Sequence, residues 1–347
     1  MAVTFTGTKL PQSELSEIQA ELYQDSATFR ERYVDIQEGH KSGTEVYESK
    51  VTVTAKAATA GKVTADATID LAAQRTPVSL VSIEFSDIVD ESTLLDTRFE
   101  KSMAAGAFNR ISNEFDNAVL QQVTPAIGES IENLVWNGAT TAQKALIAGL
   151  TPGAGQGSIS AGAQTLAAAM PTTLVDSLPA VLLYNASNSK AVPGAGLGDY
   201  IKVPSIATVT SATIAAEYAK IYAIAPSKVV NNVSNMPYLY APLGDRQLIK
   251  IANNSVGAAS NQNFLVEGSG ASEKISYNGI EIKFVPLVGF RILSDPRYLK
   301  ILMDLTSDMS NLNVGEVGEG AMQRYIKNIQ TLATWCTNQR YITLYGG

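Results

Sequence analysis

The chain holds one cysteine, Cys336, and one histidine, His40, in 347 residues. One cysteine builds neither an internal disulfide framework nor a multi-cysteine zinc site. One histidine excludes His-rich metal centres, and any His-based triad has to use His40. That residue lies in Glu38-Gly-His-Lys-Ser-Gly43, a turn-like stretch whose surroundings supply no nucleophile at a useful spacing. Long apolar runs are missing as well. No window approaches the ~18 residues of a membrane-spanning helix, and residues 1–25 lack the charged-then-apolar pattern of a secretory signal. There is no basic run either. With 26 Lys and Arg against 33 Asp and Glu, the net charge is −7. Such a chain is poorly suited to tight nucleic-acid binding. These absences point to a soluble protein of a reducing compartment with few options for catalysis.

Motifs that carry chemistry are equally scarce. Gly194-Ala-Gly-Leu-Gly198 is one residue short of a dinucleotide fingerprint and opens no βαβ unit. Gly268-Ser-Gly-Ala-Ser-Glu-Lys274 has a lysine but not the order of a phosphate loop. Both read as ordinary loops. Asp87, Asp90 and Glu91 cluster before a long helical pattern, where carboxylates complement a helix N-terminus. Asp304 and Asp308 read as solvated loop residues. Cys336, between Trp335 and Thr337, reads as a buried small apolar residue rather than a reactive thiol. The sequence therefore assigns no catalytic, cofactor-binding or metal-binding residue, and no cofactor.

What is present is structural. Apolar residues make up 45% of the chain, enough for a sizeable core. Charge is uneven: residues 1–150 carry 12 basic and 21 acidic side chains, residues 151–347 carry 14 and 12. Residues 12–38 show helical spacing of Leu15, Ile18, Leu22 and Phe29, with Ser13 as cap and Gly39 as stop. From 44 to 72, Val51, Val53, Ala55 and Ala57 alternate with Lys50, Thr52, Thr54 and Lys56. After Ala60-Gly61 the alternation resumes with Val63, Ala65, Ala67, Ile69 and Leu71. Period two on both sides of a Gly-containing turn predicts a long β-hairpin. Residues 77–87 read as a returning strand.

A long helix follows, capped by Asp90 or Ser92, interrupted at Thr124-Pro125 and stopped by Asn137-Gly138. Residues 149–210 are rich in Gly, Ala, Ser and Pro and read as loops with short elements. A helix is predicted over 211–224, a strand over 238–241, a short helix over 245–252, and strands over 280–284 and 299–305. A strand-like run over 323–345 ends the chain. Grouped strands without a βαβα rhythm make the fold class α+β.

The order of these elements resembles the major capsid proteins of tailed bacterial viruses, with the HK97-type fold. Ile131-Glu-Asn-Leu-Val-Trp-Asn-Gly138 resembles the end of that family's spine helix. Ile214-Ala-Ala-Glu-Tyr-Ala-Lys-Ile-Tyr-Ala-Ile-Ala-Pro226 resembles its second P-domain helix, and Tyr238 to Leu243 the entry to its A-domain. Ser276-Tyr-Asn-Gly-Ile-Glu-Ile-Lys-Phe-Val-Pro286 and Asp295 to Asp308 resemble the late sheet section, and Arg340-Tyr-Ile-Thr-Leu-Tyr345 the returning P-domain strand.

The resemblance implies an N-terminal arm (1–43), an extended hairpin or E-loop (44–76), and a returning strand with spine helix (77–138). It further implies a P-domain (139–237) with a possible insertion at 150–205, an A-domain (238–321) and a returning P-domain strand (322–347). It implies a structural, non-enzymatic subunit that self-assembles into hexamers and pentamers of an icosahedral shell around double-stranded DNA. Its partners would be other copies of itself, a portal, and separate decoration or scaffolding proteins, with no membrane. The location would be the virion capsid, assembled in the bacterial host cytoplasm. Some members cross-link a hairpin lysine to a neighbour's asparagine. Lys50, Lys56 and Lys62 lie on or near the hairpin here, and nothing marks a particular pair. An encapsulin-type nanocompartment is the alternative within the fold. A soluble enzyme or ligand-binding protein using the Gly-rich loops is the alternative outside it.

Overall fold

The computed structural model describes residues 27–41, 44–53, 69–90, 113–153, 159–188, 200–203, 209–231, 236–255, 264–268, 273–304, 312–316 and 323–346. In chain order the elements are α1 (Ala27–Arg30), β1 (Asp35–Gln37), β2 (Thr44–Val53), β3 (Ile69–Val78), β4 (Val81–Asp90), α2 (Asn113–Trp136), α3 (Thr141–Ala148), α4 (Ala161–Ala169) and α5 (Leu178–Asn188). They continue with β5 (Tyr200–Val203), α6 (Ile214–Ile224), α7 (Ser227–Val230), β6 (Tyr238–Pro242), α8 (Leu243–Ser255), β7 (Phe264–Glu267), β8 (Lys274–Tyr277), β9 (Ile280–Val285) and β10 (Phe290–Ser294). The last are β11 (Leu299–Leu302), β12 (Leu312–Glu316), β13 (Gln323–Cys336) and β14 (Ile342–Gly346). The fold class is α+β. Two compact units divide the chain. One comprises Met1–Lys41, Leu80–Val135 and Ile301–Ala333; the other comprises Ser42–Ser79, Trp136–Lys300 and Thr334–Gly347.

The first unit is organised by a sheet in the order β1-β11-β13-β12, with β4 also paired to β13. β4 and β13 run antiparallel from Gln323 opposite Asp90 to Leu332 opposite Val81. Ile83, Ile326 and Leu332 are buried from this ladder. On α2, Ile127, Ile131 and Val135 recur every four residues and are buried, as one apolar stripe of a helix requires. Glu132 on the same helix accepts hydrogen bonds from the Ala27 N–H (3.2 Å) and the Thr28 hydroxyl (2.8 Å), which holds the start of α1.

The second unit is built on a seven-stranded sheet in the order β5-β14-β10-β6-β9-β8-β7. The β5–β14 and β6–β9 pairs are parallel, whereas β14–β10, β10–β6, β9–β8 and β8–β7 are antiparallel. Its core joins Ile214, Tyr218 and Ile221 of α6 and Ile249 and Ala252 of α8 to Leu239, Phe264, Ile275, Tyr277, Ile282, Leu293 and Tyr345 of the sheet. Tyr218, Phe264 and Tyr277 interlock with ring centroids 4.9 to 5.7 Å apart, in tilted and edge-on geometry.

Several sequence expectations are corrected. The described part of the 12–38 helix is helical only over Ala27–Arg30. Arg32 takes φ 49°, and β1 follows, because this segment bonds to residues 303–304 instead: Met303 N–H to Gln37 O, Gly39 N–H to Asp304 O and His40 N–H to Met303 O. Residues 12–26 lie outside the described residues. Asp90 sits in β4 opposite Gln323, so strand pairing extends past the expected end at 87. Ser92 and the residues after it, up to 112, lie outside the described residues. α2 continues past Pro125 as one helix rather than restarting there.

Residues 323–345 are not one strand. The left-handed Asn338 (φ 49°) and a 3-10 turn at Gln339–Tyr341 separate β13 from β14, which belong to different sheets. The 149–210 stretch contains two helices, α4 and α5, besides loops. Its alanines conceal them: Ala163, Ala167, Ala180 and Ala186 are buried but give weak hydrophobic contrast. Ser160 caps α4 by accepting the Ala163 N–H at 3.0 Å. Thr213 holds the N-cap position of α6, and its hydroxyl accepts the Thr210 N–H.

Candidate assembly surfaces

Among the described residues, β2 and β3 form a two-stranded sheet. Their antiparallel register runs from Thr44 opposite Val78 to Val53 opposite Ile69. Directly opposed residues share a face of the ladder, and residues two apart along a strand join them. Val51 opposite Leu71, Val53 opposite Ile69 and Ser49 opposite Ala73 therefore share one face. Lys50 opposite Ala72, Thr52 opposite Asp70 and Glu48 opposite Gln74 share the other. Val46 and Val78, near the base, are buried and belong by register to this second face. The apolar set thus changes face between base and tip. A two-stranded ribbon is marginal in water without a covering surface.

Exposed aliphatics mark further surfaces. In the first unit, Ile88 and Ile329 are 57% and 44% exposed on the solvent side of β4 and β13. Between them Lys327 pairs with Glu84 at 3.0 Å. Hydrogen bonds from Lys327 and then Ser86 hold the Glu84 carboxyl below its ordinary range. In the second unit, Leu243 and Ile251 stand out on α8, and Leu265 and Val266 on the edge strand β7. On the same unit Glu273 accepts from Lys250 at 2.7 Å and lies 3.7 Å from Arg246, two α8 residues one turn apart. Its carboxyl is held low, first by the Lys250 hydrogen bond.

The residues singled out from the sequence do not converge. His40 lends its backbone N–H to Met303. Cys336 is fully buried, with its sulfur accepting from Asn185 Nδ2 at 3.5 Å and Gln339 Nε2 at 3.7 Å. Asp87 is exposed and accepts the N–H of Ile88. Lys274 opens β8, and Lys50 lies in β2. Glu91, Asp308, Gly194 to Gly198, Lys56 and Lys62 lie outside the described residues. Among the described residues, no three of His, Cys, Asp and Glu gather as a metal site would require. No helix among them is long and apolar enough to cross a membrane.

Sequence reasoning missed one cluster. Tyr218, Asp245, Arg291, Glu217 and Tyr345 are all buried together in the second unit. A signal existed: Arg291 is a charge inside the strand Phe290 to Ser294, which is buried throughout, and a charge there requires a buried counter-charge.

No family model matches the chain, and no curated protein matches it. Solved structures do. The chain is similar to the capsid protein of Myoviridae phage XM1, at 10% identity and TM-score 0.49, over 92% of this chain and 91% of that one. It is similar to the capsid protein of cyanophage P-SCSP1u, at 11% identity and TM-score 0.48, over 100% and 92%. A third similarity is to the SrpI encapsulin of Synechococcus elongatus, at 9% identity and TM-score 0.45, over 100% and 92%.

Proposed function

We propose that this chain is the structural subunit of a self-assembling protein shell, in particular the major capsid protein of a tailed bacteriophage. The observation that carries the reading is the β2–β3 ribbon. Its register gathers Val51, Val53, Ile69 and Leu71 on one face of a ladder that, among the described residues, has two strands. In this reading the ribbon is the E-loop (44–76) and lies across a neighbouring copy. The arm (1–43) braces an adjacent subunit, and α2 is the spine. The P-domain spans 139–237 and 322–347, and the A-domain (238–321) surrounds the five- and six-fold axes.

The mechanism is assembly rather than chemistry. Heterologous contacts close into rings when the rotation permits, and repetition over a shell lets individually weak contacts add. The net charge of −7 suits a wall that encloses double-stranded DNA without adhering to it.

Negative-stain microscopy of the expressed chain tests this. Shells or capsomers are expected for the parent, and only small particles for Val51→Asp with Leu71→Asp, at unchanged thermal stability of the unassembled subunit. Small monodisperse parent particles under every assembly condition would refute the shell reading. The content of shells purified from the host separates its two forms. Nuclease-protected DNA supports the phage capsid, and a packaged protein cargo without DNA points to the encapsulin alternative.

A further inference from the structure

Helix α8 buries a carboxylate among the aliphatics of its inner face and leaves two other aliphatics outside. Asp245 is 3% exposed, whereas Leu243 and Ile251 on the same helix are 59% and 53% exposed. Ile249 and Ala252 are buried and Leu248 is partly buried, so aliphatic residues lie on most sides of the helix. Hydrophobic burial is non-directional. A helix with this distribution could bury comparable apolar area after rotating by one residue position, with Ile251 turned inward. Burial alone does not select the seating that is seen.

A directional network does. Arg291 of β10 grips Asp245 with a two-pronged fork, Nε to Oδ2 at 2.7 Å and Nη2 to Oδ1 at 2.8 Å. The Tyr218 hydroxyl of α6 donates to the same Oδ2 at 2.8 Å. Arg291 also lies 5.7 Å from the ring centroid of Tyr345, its cross-strand partner on β14. The Tyr345 hydroxyl donates to Glu217 Oε2 of α6 at 2.5 Å, and Lys220 reaches the other oxygen at 3.1 Å from the surface. Two anions meet two cations, and four elements are joined.

A buried ion pair of this kind is a poor source of stability. Desolvation cancels much of its attraction, and apolar replacements of similar volume are often neutral or stabilising. Its geometry is strict, however, because a bidentate fork and a shared acceptor oxygen are satisfied in one placement only. We propose that the Tyr218–Asp245–Arg291 and Glu217–Tyr345 network is a seating device. It fixes the rotation of α8 and the docking of α6 and β14, and it excludes the seating in which Ile251 is buried. If the shell reading holds, this keeps Leu243 and Ile251 presented on the outside of every subunit.

The single native cysteine makes a direct test possible, because Cys336 is fully buried and stays silent to thiol reagents. Ile251→Cys is introduced into the full chain with the network intact, and into a second chain that also carries Tyr218→Phe, Asp245→Leu and Arg291→Met. Maleimide labelling of the unassembled proteins is then timed. With the network intact, residue 251 is expected to label at the rate of an exposed thiol. In the apolar background labelling is expected to slow about tenfold or become biphasic, and amide protection along α8 to fall, at a cooperative unfolding midpoint no lower than the parent's. Equal labelling rates in the two backgrounds would overturn the proposal. So would an apolar background that no longer unfolds cooperatively, since the network would then be needed for stability. Neither result depends on shell formation, so failure of the shell reading is seen separately, in the microscope.

Discussion

Gly138 is where a single methyl group should do the most damage. It follows α2 with φ 137°, and its backbone is clamped to the segment 171–177. The Gly138 carbonyl accepts the Ser177 N–H, the Ala139 N–H donates to Pro171 O, and the Ala139 carbonyl accepts the Thr173 N–H, all at 3.1 Å. A Cβ at 138 would stand 2.5 Å from Thr173 Cγ2 and 2.6 Å from its Oγ1. Thr173 cannot rotate away freely, because its hydroxyl donates to Val175 O at 2.8 Å. Gly138→Ala therefore combines three costs: backbone strain of about 1–3 kcal/mol, overpacking of about 1–3 kcal/mol, and about 1 kcal/mol if the Thr173 bond is given up. The expected loss is about 4 kcal/mol, a large share of the ~5–15 kcal/mol that holds a domain together.

Urea unfolding of four proteins measures it: parent, Gly138→Ala, Thr173→Ala and the double variant. Thr173→Ala alone should lose about 1 kcal/mol. The double variant should recover about 1–3 kcal/mol relative to the additive sum, because only the strain remains once the clash is gone. A Gly138→Ala protein within about 1 kcal/mol of the parent would refute the strain argument. Strict additivity in the cycle would refute the clash.

Alkaline titration should report the buried tyrosines. Tyr218 is pushed far above its ordinary range by burial and then by the Asp245 charge, and Tyr345 is pushed up by burial and then by its bond to Glu217. A raised folded pKa means the stabilisation is complete below the unfolded value and is lost as pH climbs, so stability should fall above about pH 10 by ~1.4 kcal/mol per pH unit for each such tyrosine. Tyr345→Phe should remove one tyrosine's share of that slope, and an unchanged slope would contradict it. Trp136, fully buried with its ring 5.0 Å from that of Tyr240, should cost about 3–5 kcal/mol as Trp136→Ala by chemical denaturation. Lys327→Ala should cost less than about 1 kcal/mol despite its 3.0 Å contact, because both side chains of the pair are well exposed. If shell assembly pairs acidic arm or spine surfaces with a neighbour's Lys or Arg, light scattering should show weaker assembly at about 1 M salt, where the screening length falls to ~3 Å.

What the sequence made legible follows from which forces are local. Period-two alternation placed a hairpin over 44–72, which takes in β2 and only the start of β3, because a ribbon pairs with its own neighbour in the chain; β3 runs on to Val78. The helical repeat located α6, and Gly138 marked the end of α2. Where partners are distant, the reading failed. Asp35–Gln37 became strand because residues 303–304 supply its hydrogen bonds, and nothing near residue 35 encodes that. β13 and β14 read as one strand because both are apolar, and the break at Asn338 depends on the bond from Thr337 N–H to Tyr298 O. Within 149–210, read as loops with short elements, the helices α4 and α5 could not be told apart from the rest because alanine buries well but contrasts little.

The assembly surfaces are harder still, and for a reason of principle. A periodicity argument assigns the aliphatic residues of α8 to the interior, and Ile249, Ala252 and the partly buried Leu248 are there. Leu243 and Ile251 are exposed instead, and Asp245 is buried. Such an inversion is stable only where a specific counter-charge awaits the buried carboxylate, and Arg291 lies 46 positions further along the chain. The same holds for the ribbon: its apolar face is legible, but a two-stranded sheet among the described residues says only that a cover is needed. In an isolated globular domain these would be defects, with aliphatics in water and a two-stranded sheet left open. They become consistent with one another if the folded chain is not the final object and the missing packing is supplied by further copies. On that view, the local rules fail where the chain meets its neighbours, and those failures locate the contacts.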